Sequence, residues 1–396
     1  MRFVLAAIVL GAVACGDVAN PDPVPPGAPL TAQQVERAIA DLVPSDAVAV
    51  VRVRSPSHLA RVGEVARGLG LPLPSLDLSD VAREARLPLD AIDPELPVVA
   101  AIALVHQATG ASPRVTWVVP LKDAASAAGS PLHHAVHGRY AGFADDPAYG
   151  RGGGSPLARP SAAPVSVRVD MKAAAAALRG RIEVGLALLP TLVRAASARL
   201  PGIAPDALAA RLANTARDVL EHAETLEIEV REAGDAFDLT ARLAFGPGMA
   251  MPAPVPLASF REALPGELAW AFAGRVPPDL VPAGLPPAWK SLLGSMERGG
   301  LLSVDPAAPF DRFRAVVRPA DARAFADAWA GGGRARASGD LVAIDAAGDE
   351  PPAEAEPGWT GDPVLWVSFR TPRKTRVDLR VFVQDRTFQC ELRARR

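Results

Sequence analysis

One apolar β-run, met twice, restricts the fold of this chain more than any other feature. The first copy is Pro44-Ser45-Asp46-Ala47-Val48-Ala49-Val50-Val51-Arg52-Val53-Arg54-Ser55. A Pro-Ser-Asp turn leads into it and a Ser-Pro helix start leads out. The second is Leu264-Pro265-Gly266-Glu267-Leu268-Ala269-Trp270-Ala271-Phe272-Ala273-Gly274. The segments downstream of the two copies correspond as well. The strand Arg114 to Val119 is answered by Arg312 to Val317, and the helix start Asp123-Ala124 by Asp321-Ala322. The turn His137-Gly138-Arg139-Tyr140 is answered by Ser338-Gly339-Asp340-Leu341, and Pro164 to Val169 by Pro363 to Phe369. In the closing hairpin Leu226, Ile228, Val230, Phe237 and Leu239 match Val377, Leu379, Val381, Phe388 and Cys390. Any two hairpins alternate, so one match means little. Five element types recurring in one order mean more, and they read as internal duplication.

The expected fold class is therefore α+β, with two related halves of strand-helix units ending in antiparallel β-hairpins. The first half is expected over 31–250, with a helical insert at 171–224, and the second over 251–396. Within the first half, Thr31 and Gln34 form a capping box for a helix carrying Val35, Ile39 and Leu42. A helix after Ser55 places Leu59, Val62, Ala66 and Leu69 on one face, and a short one follows near 81–85. Strands are expected at 98–105 and 115–119, a helix at 124–128, and a flexible linker at 150–163. Asp170 caps the helical insert, whose interruptions are Gly180, Pro190 and 201–205. Residues 246–256 have no periodic pattern. An acidic, proline-rich loop spans 347–362.

Hydrophobic residues make up 49% and charged residues 22% of 396, a globular composition with enough chain for a sizeable core. A formal net charge of −2 offers no global attraction to nucleic acid. Aromatics at 5% weigh against base-stacking grooves.

The first residues carry an address. Arg2 is a minimal positive region, and Phe3 to Val13 is an apolar run. As a helix such a run reaches ~17 Å, short of a ~30 Å bilayer core, so residues 1–14 read as a signal peptide. The run ends in Ala12-Val13-Ala14-Cys15-Gly16, which resembles the lipobox of bacterial lipoproteins, with Ala12 where Leu is usual. The resemblance implies lipid attachment at Cys15. Gly16 follows the cysteine and Asp17 comes one place later, so the pattern for inner-membrane retention is absent. An exported protein lipid-anchored to the outer rather than the inner membrane is what this implies. Residues 15–30, with Pro21, Pro23, Pro25, Pro26 and Pro29, form a stiff tether. The body resembles the uncharacterised, repeat-containing envelope lipoproteins of GC-rich Gram-negative bacteria, a resemblance that implies no mechanism. With Cys15 lipidated, Cys390 has no intrachain partner and is expected to face the core with Phe388 and Leu392.

Candidate chemistry is sparse. His133, His134 and His137 form a cluster, but on a strand 133 and 137 stand ~13 Å apart. Gly150, Gly152, Gly153 and Gly154 lack the Lys-Ser/Thr of a phosphate loop. Asp145-Asp146 reads as a turn. The basic residues Arg370, Arg373, Lys374, Arg376, Arg380, Arg386, Arg393, Arg395 and Arg396 read as the solvated face of a hairpin. No catalytic residue, metal ligand or cofactor is assigned. The reading is a membrane-anchored, non-enzymatic binding or scaffold module whose partner is an envelope protein or an anionic polymer. The alternatives are an envelope hydrolase whose site assembles only in the fold, and a carrier of apolar cargo using Leu186, Leu189 and Val193.

Overall fold

The computed structural model describes residues 30–55, 78–107, 110–146, 154–197, 205–233, 236–263, 270–282, 284–347, 362–370 and 375–395. The expected signal peptide, Cys15, the tether up to residue 29, the helix after Ser55, the turn Gly234-Asp235 and residues 348–361 lie outside them. Helix and strand are mixed around antiparallel sheet. The chain divides into two compact units, Met1–Ile182 with Ala223–Leu243 and Glu183–His222 with Ala244–Arg396.

In the first unit the expected capping box forms: the Gln34 amide donates to Thr31 Oγ1 (3.2 Å) and the Thr31 amide to Gln34 Oε1 (2.9 Å). It starts α1 (Ala32–Leu42), which buries Val35, Ala38, Ile39 and Leu42. Then come β1 (Ala49–Val53), α2 (Leu78–Glu84), β2 (Val98–Gln107), β3 (Gly110–Pro120), β4 (His133–His137), β5 (Tyr140–Ala144) and β6 (Val165–Asp170). α3 (Met171–Ser197) begins in this unit, but from Glu183 on it is grouped with the second unit, as is α4 (Pro205–His222); the first unit resumes with β7 (Ala223–Ala233) and β8 (Ala236–Phe245). The strands run in the order β8-β7-β6-β1-β2-β3-β5-β4. α1 packs on Val50, Val99, Val118 and Tyr140, while α2 packs with Val98, Val119, Ala141 and Phe143. Both faces of the central strands are covered, which is why β2 reads Val-Val-Ala-Ala-Ile-Ala-Leu without alternation.

The second unit holds α5 (Leu257–Ala263), β9 (Trp270–Gly274), α6 (Pro287–Ser295), β10 (Gly300–Val304), β11 (Phe313–Val317) and α7 (Ala322–Ala328). It continues through β12 (Arg334–Ser338), β13 (Leu341–Asp345), β14 (Leu365–Arg370), β15 (Arg376–Gln384) and β16 (Thr387–Arg395). Its strand order is β16-β15-β14-β9-β10-β11-β13-β12, which is the order of the first unit with eight added to every label. The registers agree too. Arg52 lies opposite Val99 and Ser166; Ala273 lies opposite Leu301 and Trp366. Thr116 faces Ala144 as Arg314 faces Asp345, and Val167 faces Ile228 as Val367 faces Leu379. α5 covers the face that α1 covers in the first unit, packing Leu257 and Phe260 on Ala271, Ala273, Leu301 and Val316. α6 and α7 cover the other.

Several expectations are corrected. Residues 124–129 form a 3₁₀ helix, because the Asp123 carboxylate caps the nearer amide of Ala125; Asp321 reaches Ala324 and starts an α-helix. α3 passes unbroken through Gly180 and Pro190, a helix of 27 residues being long enough to carry one lost hydrogen bond and one glycine. The expected flexible linker is partly packed: Ser155, Leu157 and Ala158 are buried, the last two in the core. α5 and β10 were not expected at all. Cys390 is half-buried, not a core residue.

Candidate functional site: a charged layer on one sheet face

Residues directly opposite each other on neighbouring strands point to the same face. On the α1 face of the first unit this puts Arg52, Ser166 and Glu229 in one row, and Val50, Arg168 and Glu227 in the next. Arg52 interrupts an otherwise apolar strand and is buried. Its guanidinium donates from Nη1 and Nη2 to the two carboxylate oxygens of Glu36 on α1, at 2.6 and 2.5 Å. Arg168 donates to the carbonyls of Leu157, Arg159 and Pro160 and pairs with Glu227 at 3.4 Å. It thereby straps 157–160 across the sheet. Burial lowers its pKa, opposed by Glu227. Arg159 reaches Glu227 at 2.7 Å, and Ser161 donates to Glu229 at 3.3 Å.

The Tyr140 ring is buried in the same core, and its hydroxyl has no hydrogen-bond partner among the described residues. Burial pushes its pKa far up, with Arg52 opposing and Glu36 reinforcing. Beside it Arg139 closes the end of β5, donating to the Leu121 carbonyl at 3.1 Å and to Asp93 at 2.6 Å.

The second unit fills the same positions with other residues. Ala273 replaces Arg52 and packs with Leu257, sixteen residues earlier, as Glu36 precedes Arg52 by sixteen. Where the first unit has a buried charge pair, the second has an apolar one. Arg314 and Asp345, 3.4 Å apart, replace Thr116 and Ala144. Asp378, 2% exposed, stands where Glu227 does and accepts from Arg376 at 3.1 Å and Arg395 at 3.5 Å. The basic hairpin is thus not a fully solvated face: Arg380 is buried, and Arg376 and Arg395 serve a buried carboxylate.

The histidines part company. His133 and His137 sit on β4 opposite Ala144 and Tyr140. His137 Nδ1 lies 3.2 Å from Asp41, and His134 Nδ1 lies 3.2 Å from the Leu132 carbonyl. Desolvation lowers the His133 pKa, with Asp146 opposing. Among the described residues no three His, Cys, Asp or Glu side chains gather as a metal would need. Both Asp145 carboxylate oxygens are cut off from solvent and have no hydrogen-bond partner among the described residues, and burial raises that pKa against Arg114. Chemically, the layer holds compensated charges: bidentate and strapped arginines neutralise carboxylates and fix strand and loop positions. The sequence carried two clues to it: Arg52 in an apolar run, and Asp378 between Val377 and Leu379. The partner of Arg52 is legible only in three dimensions. Compared with known proteins, the chain matches no family model, no curated protein and no solved structure.

Proposed function

We propose that this chain is an envelope lipoprotein, anchored through Cys15 to a membrane, the outer in preference to the inner. Its body is a non-enzymatic binding or scaffold module made of two related halves, the products of one duplication. The observation that carries this reading is what the two units share. Six strand pairings recur at the same register, while the polar side chains on them are exchanged for apolar or differently charged ones. Glu36 and Arg52 become Leu257 and Ala273; Tyr140 becomes Leu341. A reaction needs a fixed set of groups at fixed distances. A scaffold needs only the register, and the register is what recurs. The partner is an envelope protein or an anionic polymer.

The test is crosslinking in cells, with identification of what is captured by the wild-type chain and by the chain carrying Glu36→Leu with Arg52→Ala. The scaffold reading predicts the same captured partner for both. Loss of the partner in a variant that still folds would place the interaction at the charged layer and contradict it.

A further inference from the structure

Between β6 and β7 the chain carries α3 and α4, whereas β14 and β15 are separated by residues 371–375 alone. The strand ends are already adjacent in both cases, Asp170 opposite Thr225 and Arg370 opposite Arg376. The sheet therefore requires only a short connection here, and the helices answer some other need.

The two helices form an antiparallel pair tied by Arg194 to Asp206 at 2.8 Å and by Arg217 to Glu183 at 3.9 Å. Val193, Ala209 and Ala213 are buried and Leu186 and Leu189 half-buried, so the residues proposed to line a cargo groove are the covered ones. On the opposite side of α3, Val184, Leu188 and Leu192 repeat every four residues and are 62%, 55% and 62% exposed. Leu212 of α4 is 44% exposed. α3 is thus apolar along two opposite stripes, of which one is covered. Arg181 stands exposed in line with the open stripe, one turn before it. Of the basic residues on α3, Lys172 pairs with Glu224 at 2.7 Å and Arg194 with Asp206, while Arg179 and Arg181 are exposed.

We infer that this stripe is a membrane-contact site that lies along the surface of an anionic phospholipid bilayer, Val184, Leu188 and Leu192 entering the acyl boundary and Arg181 meeting headgroup phosphate. The inference rests on the anchored reading above for proximity to the bilayer. Residues 16–29, if extended at ~3.1 Å each, would reach about 43 Å, so a lipid on Cys15 would keep the body within touching distance. Under that constraint a weak contact is sufficient. No described helix is long and apolar enough to cross a membrane, which leaves an interfacial position. A second copy of the chain fits less well, since a stable dimer needs about 800 Å² from each partner, more than four side chains supply.

The test is the depth of a nitroxide in the full chain, bound to vesicles of phosphatidylethanolamine and phosphatidylglycerol. The label is placed at Leu188→Cys or, separately, Leu192→Cys, each with Cys390→Ser; Arg179→Cys is the outward reference. At 188 and 192, collisions with oxygen should exceed those with an aqueous nickel chelate several-fold, and the ratio should reverse at 179. Adding Arg181→Glu should move 188 toward water. Labels at 188 and 192 that stay aqueous overturn the site, as does spin-spin broadening that grows with protein concentration without vesicles, which would assign the stripe to a second copy. Mass spectrometry of the same samples reports lipid on Cys15. Buried labels without that lipid would keep the site and remove the anchor, and aqueous labels with it the reverse.

Discussion

Glu36 and Arg52 are the informative pair, because the second unit shows what their positions accept instead. Breaking a buried ion pair by removing one partner costs about 3–5 kcal/mol, and the partial exposure of Glu36 lowers that toward 2 kcal/mol. Arg52→Ala should therefore destabilise clearly in urea unfolding. Adding Glu36→Leu, which copies Leu257 and Ala273, should restore most of the loss; a double variant no more stable than the single would show that the pair is not one packing unit. His133 gives a pH-dependent counterpart. Its folded-state pKa lies below the ordinary 6.5 because of burial, so between the two values the unfolded chain binds more protons. The stability at stake is present above about pH 6.5 and is lost as pH falls through the folded pKa. His133→Gln should shallow the fall in urea midpoint between pH 7.5 and 5, while an unchanged fall would mean that His133 titrates as freely in the fold as out of it.

Among the elements, the hairpins show why turns were easy to read and helices hard. Gly138 and Gly339 adopt φ of 60° and 61°, the left-handed first position of a two-residue loop, and the Gly-Arg and Gly-Asp pairs announce it. The β15–β16 turn does the same with Asp385 and Arg386 at φ 46° and 63°, where a non-glycine residue costs roughly 1 kcal/mol. Arg386→Gly should raise the melting temperature by a few degrees, and a fall would show that the Arg386 side chain, 3.3 Å from the Gly246 carbonyl, contributes more than the strain. α5 escaped notice because its seven residues are framed by Pro256 and Pro265 and contribute only Leu257 and Phe260 to the core. β10 is short, and Gly299-Gly300 hides its start: Gly300 sits so close to Met296 and the Val316 carbonyl that a side chain there would collide. In α3 Gly180 and Pro190 look like stops, and only the built helix shows that they are not. Replacing 171–222 by five residues, the length of 371–375, should leave β6 and β7 protected from hydrogen exchange at their wild-type level. Loss of that protection would give the helices a structural duty in the sheet.

Across the whole chain, the proposed duplication draws on both the sequence correspondences and the strand pairings. Arg114 to Val119 and Arg312 to Val317 align by sequence, and Thr116 and Arg314 then occupy the same register position. The charged layer had no such legibility, because its members come from α1, β1, β6, β7 and the strap at 157–161. The proposed scaffold would act where a lipid on Cys15 holds it, so the anchor is the feature to measure. Each acyl chain contributes ~0.8 kcal/mol per buried methylene, and stable anchoring takes more than one chain. The direct measurement is detergent phase partitioning of the mature protein with mass spectrometry of its N-terminus, for wild type and Cys15→Ser. The expected wild type is detergent-bound and begins at an acylated Cys15, while the variant remains an uncleaved precursor or becomes soluble. A wild-type chain that partitions into water with an unmodified N-terminus at another residue would contradict it.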